Sequence, residues 1–254
     1  MHTDIQGVDT LTRNVFKDHH VAKRVPVIVT GHSPIREAAK RWSLDYLVAQ
    51  HPNHKVSVEF YHDGNRNRHW AYKSMTLAEY VSLIRDPRER ARYYLAQKPV
   101  RDVVPNLAHD VPPPDFLDEA QDETDPVVFM GIDTYSPAHY HLAPKEAVLM
   151  QIVGKKKIVM CPAEQYQSFY PCAWYSKRTN WSSIPFKCVL GPGELLVIPQ
   201  GWFHIVFGLG ESLSVTYFWH GLWRNSYWKV GLRDALSIIQ KEYVLKTIGA
   251  YRPS

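Results

Sequence analysis

The sequence predicts a mainly β protein, an antiparallel barrel or two-sheet jelly roll with flanking helices. Three observations point there. Residues 127–220 hold a succession of short apolar and β-branched runs, around 127–132, 147–153, 156–161, 186–190, 194–198, 203–207 and 212–218. Gly, Pro, Asn and Ser mark the breaks between them, the pattern of many short strands joined by turns. The preceding hundred residues alternate strand-like and helix-like segments, an α/β decoration ahead of the barrel. Residues 224–247, with Trp228, Leu232, Leu236, Ile239 and Tyr243, suit one or two closing helices.

At 254 residues the chain is long enough for one large domain with a substantial core. Hydrophobic residues make up 45% and charged residues 22%, the balance of an ordinary globular protein. A net charge of +5 and a pI near 9.0 favour anionic ligands without arguing for nucleic acid. The three cysteines, Cys161, Cys172 and Cys188, have no paired spacing, which suits free thiols in a reducing compartment. The first residues lack a signal-peptide pattern, and no apolar run reaches the roughly 20 residues of a membrane span. A cytoplasmic location with no membrane partner is expected.

Taken in order, residues 1–24 have mixed charge and no clear period, so a loosely held arm is expected. Val25-Pro26-Val27-Ile28-Val29-Thr30-Gly31 reads as a strand and turn. Ser33-Pro34 resembles a helix start, Ser33 as N-cap and Pro34 first in the helix, running until His51-Pro52-Asn53. Residues 55–61 alternate like a strand, and Asp63-Gly64-Asn65 is a turn. From Ser74, Met75, Leu77, Tyr80, Leu83 and Ile84 recur at helical steps. Residues 92–97 read as a strand. The proline-rich, acidic stretch 101–126 is a surface loop, with a lid over a pocket as the alternative. The domain is placed at 25–222, its barrel core at 127–220, and a C-terminal helical segment at 223–254. The apolar face of that segment packs on its own barrel or on a second copy, forming a homodimer.

The chemistry concentrates between Gly131 and His204. Successive side chains on a strand alternate faces, so His139 and His141 point the same way, about 7 Å apart. A third histidine from a distant strand can complete a three-sided cap on one metal ion. Imidazole suits iron, zinc, copper and nickel, and facial ligands leave positions open for substrate or oxygen. Alone, a His-x-His pair among 13 histidines is a weak signal.

Its surroundings are more specific. Gly131, His139, His141, Glu146 and Gly154 resemble the first cupin motif in residue type and spacing. Gly193 followed by Pro199-x-Gly201-x-x-His204 resembles the second, with Gly208 where that motif ends in Asn. Ser136-Pro137-Ala138-His139-Tyr140, Gln151 to Val159, Gly191 to Pro199, Trp202-Phe203-His204 and Val215 to Trp219 are similar to the cupin-like Jumonji C oxygenases. The likeness spans roughly residues 25–222. It implies a double-stranded β-helix holding Fe(II), with 2-oxoglutarate and O2 as cosubstrates. By motif position His139 and His204 are iron ligands. Lys156 pairs with the distal carboxylate of 2-oxoglutarate, helped by Ser136 and Tyr94. A buried cation with two hydroxyls compensates a dicarboxylate taken out of water.

One departure stands out. The family's second ligand is an Asp or Glu, whereas this chain has His141, leaving the bare site more positive. Three histidines also serve cupin dioxygenases that use no 2-oxoglutarate. Glu146 is then a fourth ligand or a partner orienting a histidine. Trp219 and Tyr140 are candidates for the substrate pocket. The expectation is an oxygenase hydroxylating or otherwise oxidising a small molecule or amino acid, with a peptide as a further option and no nucleic acid. The rivals are a 2-oxoglutarate-independent three-histidine dioxygenase or isomerase and a non-catalytic metal-binding cupin.

Overall fold

The structure is a computed structural model that describes residues 5–64, 71–117, 125–141, 145–162, 171–172, 175–176 and 184–220. The C-terminal segment expected at 223–254 lies outside the described residues. Among the described residues no helix is long and apolar enough to cross a membrane.

The sequence folds as β1 (Gly7–Val8), α1 (Arg13–Val15), a π-helical turn Phe16–Val21, β2 (Val27–Val29), α2 (Ser33–Arg41) and α3 (Leu44–Gln50). There follow β3 (Lys55–Phe60), β4 (Ala71–Thr76), α4 (Leu77–Arg85), β5 (Tyr93–Pro99) and α5 (Val100–Val103). The barrel half comprises β6 (Val127–Ile132), β7 (Tyr135–His139), β8 (Lys145–Cys161), β9 (Pro171–Cys172), β10 (Tyr175–Ser176), β11 (Phe186–Leu190), β12 (Leu195–Ile198) and β13 (Phe203–His220).

Two strands hold the architecture together. β8 and β13 pair antiparallel from Phe203↔Cys161 to His220↔Lys145, each passing through both sheets of the jelly roll. The first half of β8 joins β12, and the second half of β13 joins β6, in the larger sheet. The second half of β8 joins β11, and the first half of β13 joins β7, in the smaller one. The breaks expected at residues 154–155 and 208–211 are therefore bends within continuous strands. Gly154 sits at such a bend with φ +65°, opposite the register shift between Leu209 and Leu213. A Cβ there would overlap the Glu211 carbonyl oxygen. Gly154→Ala combines that overlap with a left-handed backbone that alanine resists. We expect it to lower unfolding free energy by about 3 kcal/mol or more, read from the urea midpoint. A midpoint within error of wild type would mean the bend can form elsewhere.

Strand alternation divides the side chains into three layers. Between the sheets lie Ile28, Ala147, Leu149, Ile158, Met160, Leu196, Ile198 and Val206. The outer face of the larger sheet, with Val148, Met150, Ile152, Val197, Leu213 and Val215, packs under the N-terminal helices. There Ile35, Leu44, Leu47, Leu77, Tyr80 and Ile84 are fully buried. The Tyr80 hydroxyl ties α4 to two strands, donating to Met130 O at 2.5 Å and accepting from Leu95 N at 2.9 Å. The outer face of the smaller sheet carries Ala138, Tyr140, Val159, Phe203 and Ile205.

Several local expectations change. The residues from Ile5 onward are not a loose arm: β1 pairs in parallel with β2, and Ile5 and Phe16 are buried. Phe16 packs 4.9 Å from Phe116 and 5.6 Å from Trp219 between ring centroids. The single helix expected from Ser33 divides at Trp42-Ser43, because the Ser43 side chain accepts from Tyr46 N and caps a new helix. The first helix is capped at His32, one residue earlier than expected. β4 pairs with β3 although its sequence, Ala71 to Thr76, has no apolar alternation; it is an exposed edge. The described part of the 101–126 stretch is neither lid nor surface loop. Val103, Val104, Leu107, Val111 and Phe116 are buried in the main core.

Candidate metal centre

The smaller sheet brings the three histidines together. His139 lies opposite His204 and Ser136 opposite Val206, so β7 spends three residues where β13 spends two. That bulge lets Ser136 and His139 share the inner face although they are an odd number of residues apart. One potential ligand atom from each of His139, His141 and His204 lies within 4.8 Å of the others. Ring centroids are 4.4 Å apart for His139 and His204, 4.8 Å for His141 and His204, and 5.7 Å for His139 and His141.

Main-chain carbonyls orient two of the rings. His139 Nδ1–H donates to Pro137 O at 2.7 Å, and His204 Nδ1–H donates to Trp202 O at 2.9 Å. This tautomer leaves each Nε2 lone pair for a metal. Burial pushes His204 down to about 3, with neighbouring His139 adding to the effect, and burial also lowers His139. Both rings are therefore neutral donors near pH 7. His141 is held edge-on against Phe218, at 5.0 Å and 90°. Three imidazoles converging in this way fit a first-row transition ion bound on one face.

Deeper in the barrel, Lys156 shares the inner face with Ile158 and Met160. It is 3% exposed, its Nζ donates to Ser214 Oγ, and it lies 5.4 Å from the Phe129 ring centroid. Burial pushes the amine down to about 7. Thr216, two residues beyond Ser214, is buried with Oγ1 unpartnered. Tyr94 belongs to a small cluster with Tyr61, Ala96 and Phe129, its ring 6.5 Å from that of Phe129. A buried amine with no carboxylate partner among the described residues and a buried hydroxyl without a partner are unfinished polar groups. They fit an acidic cosubstrate.

Other candidates fall elsewhere. Glu146 lies directly opposite Trp219, so the two share a face, and Trp219 packs on Phe16 outside the barrel. The structure therefore brings neither residue to the histidines. Burial pushes Glu146 up to about 7, partly offset by Arg24, and its Oε2 is unpartnered. Tyr140, between the two histidines in sequence, turns outward and stacks at 4.9 Å on Phe203. Phe218, Ser214 and Thr216 are the inner residues that sequence reasoning passes over. Their signal is the alternation that begins at His204, which keeps the same parity through Val206 to Ser214, Thr216 and Phe218 although the pairing with β8 shifts between Leu209 and Ser214.

A two-sheet β barrel whose inner face presents three convergent histidines defines a cupin-type metal protein. Residues 12–187 and 175–224 match the Cupin-like domain, and the chain belongs to that family, in its Jumonji C branch. It is 28% identical over 226 residues to "Lysine-specific demethylase 8" of Xenopus tropicalis, covering 80% of this chain and 50% of that protein. It is 29% identical over 220 residues to "Lysine-specific demethylase JMJ30" of Arabidopsis thaliana, covering 76% and 49%. With "tRNA wybutosine-synthesizing protein 5" of Danio rerio the identity is 24% over 262 residues, covering 89% and 76%. The chain thus spans about half the length of the two demethylases.

Proposed function

We propose that this protein is a non-heme Fe(II)- and 2-oxoglutarate-dependent oxygenase that oxidises a small molecule or amino acid. The observation that carries this reading is Lys156, buried beside Ser214 on the same inner face as the three histidines. A lysine is rarely taken fully out of water without a partner, and a dicarboxylate supplies one. The relatives' names point to two substrates, a lysine and a tRNA, so they leave the substrate class open.

In this reading His139, His141 and His204 would hold the iron, His139 and His204 through Nε2. Lys156 and Ser214 receive the distal carboxylate of the cosubstrate, with Ser136 and Tyr94 as further hydroxyl candidates. When bound, iron and 2-oxoglutarate supply oxidising power by coupling cosubstrate decarboxylation with O2 to oxidation of a substrate C–H bond. The chain's own contribution is placement and dryness. Leu149, Ile158, Met160 and Val206 pack between the sheets on the face that carries the histidines and Lys156, an apolar surrounding that would strengthen charge contacts made there. The carbonyls of Pro137 and Trp202 fix the tautomers of two ligands. Phe218 limits rotation of the third.

Anaerobic titration of the Fe(II) protein with 2-oxoglutarate tests this directly. A saturable visible charge-transfer band is expected, followed by succinate release in air with a suitable substrate. Bound iron without the band would instead favour a three-histidine dioxygenase that needs no 2-oxoglutarate, the reading to which His141 lends support.

A further inference from the structure

The outer face of the smaller sheet carries a feature that the metal chemistry does not use. Register places Tyr135 of β7 opposite Phe207 of β13, Phe207 opposite Lys157 of β8, and Lys157 opposite Val189 of β11. Side chains paired in this way point to the same face, so one row runs aromatic, aromatic, cation, aliphatic across four strands. Leu209 and Lys155 form a parallel pair beside it, towards the Gly154 bend. The Tyr135 and Phe207 rings are both half-buried, with centroids 6.5 Å apart and planes tilted by 31°. Leu209 is 44% exposed, which sets it apart from the buried apolar residues of both sheets. Asp133, Tyr135, Lys157, Phe207 and Leu209 line an open cavity of about 320 Å³ at this place. Their chain neighbours Ser136 and Lys156 face the barrel interior, so the cavity lies across the sheet from the three histidines.

Charge decides what such a cavity accepts. Its lining carboxylate, Asp133, is already committed: Oδ1 accepts from Gly210 N at 2.9 Å and Oδ2 from Arg90 Nη1 at 2.8 Å. Nearby Glu211 pairs with Arg85 at 2.8 Å. Lys155 and Lys157 have no acidic partner among the described residues. They lie two residues apart on one strand and so share a face. Two ammonium groups match a phosphate monoester, which carries close to two negative charges at neutral pH, better than a carboxylate with one. The rings beside them offer stacking to a heterocyclic base. The volume sits at the lower end of the range for small-molecule sites, about 300–1,000 Å³, which suits one compact ligand rather than a length of chain. The geometry points to a second binding site, for a nucleoside monophosphate, with its base on Phe207, Tyr135 and Leu209 and its phosphate on Lys157 and Lys155.

The test is calorimetric titration of the full chain with adenosine monophosphate, with adenosine, ribose 5-phosphate and benzoate as partial ligands. Wild type is expected to bind the nucleotide saturably and each partial ligand more weakly. Phe207→Leu keeps apolar volume but removes the ring, and should weaken nucleotide binding about fivefold or more. Lys157→Gln removes one cation, and should weaken it about fivefold or more while reducing its dependence on salt. The two variants act on different halves of the ligand, so one that folds poorly leaves the other to decide. Neither touches the inner face. A nucleotide held at the metal centre would therefore bind both variants as it binds wild type, and that result would overturn the site. No saturable binding by wild type would overturn it too. Adenosine or benzoate binding as tightly as the nucleotide would overturn the phosphate assignment. Sedimentation of the same samples covers a rival occupant: a dimer of wild type that Leu209→Asp dissociates would show a second copy of the chain on this face instead. None of these readouts depends on iron or 2-oxoglutarate, so the oxygenase reading stands or falls separately.

Discussion

His204→Ala is expected to leave the protein without bound metal and without activity. Of the three histidines, His204 is the most buried, at 2% exposed, and it comes from β13, whereas His139 and His141 lie together at the end of β7. Its removal leaves two ligands on one short segment, which cannot cap a face of the ion. Loss of an outer-shell partner already costs about 10–100-fold in metal affinity. Loss of a direct ligand should therefore cost about 100-fold or more, enough to empty the site after dialysis against a weak chelator. Metal per chain by elemental analysis is the readout. Fold is checked separately, because alanine also leaves a void beside His139. His204→Gln fills more of that volume, and the metal-free wild type is the proper reference for unfolding. Metal content near the wild-type level in both variants would show that the ion is held elsewhere.

The parts of this site differ in how far the sequence exposes them, and the reasons are physical. His139, His141 and His204 are readable because spacing along a strand and a local Pro-x-Gly-x-x-His turn carry the signal. Phe218 is not, because Tyr217, Phe218 and Trp219 are all aromatic and alternation among them is invisible without a register. The register comes from the long-range pairing of β8 with β13, and it shifts between Leu209 and Ser214. Ser214 and Thr216 lie an even number of residues from His204, yet they read as ordinary polar positions until Lys156 and Phe129 are placed beside them. Glu146 follows a histidine pair at motif spacing, yet its face is decided by its partner Trp219. The fold class was legible from the run of short strands. That β8 and β13 each continue through both sheets was not, because Gly154 and Gly210 look like turn residues but adopt positive φ within strands. Residues 5–24 escape notice because their few apolar anchors, Ile5 and Phe16 among them, lack any period.

Lys156→Met should abolish 2-oxoglutarate binding while sparing metal binding. Methionine is close to lysine in length and can lie among Ile158, Leu190 and Phe129 without a void. Removing one partner of a buried charge pair costs about 3–5 kcal/mol, a loss of roughly 100- to 1,000-fold or more in affinity. Metal content should stay at the wild-type level, since the variant leaves the histidines and their carbonyl partners untouched. The pH dependence gives a second signature. In the free protein burial holds the amine at about 7, and a dicarboxylate binds best to its protonated form. Below pH 7 the proton is already present and affinity should be level. Above it, binding must take up a proton, so affinity should fall about tenfold per pH unit until the complex itself titrates. Lys156→Met should lack that slope. The free protein should show the opposite trend in stability. An unfolded lysine titrates near 10.4, so between pH 7 and about 10.4 the unfolded chain binds the extra proton and stability rises with pH. A titration in which wild type and Lys156→Met bind 2-oxoglutarate equally, with the same dependence on pH, would remove Lys156 from the pocket.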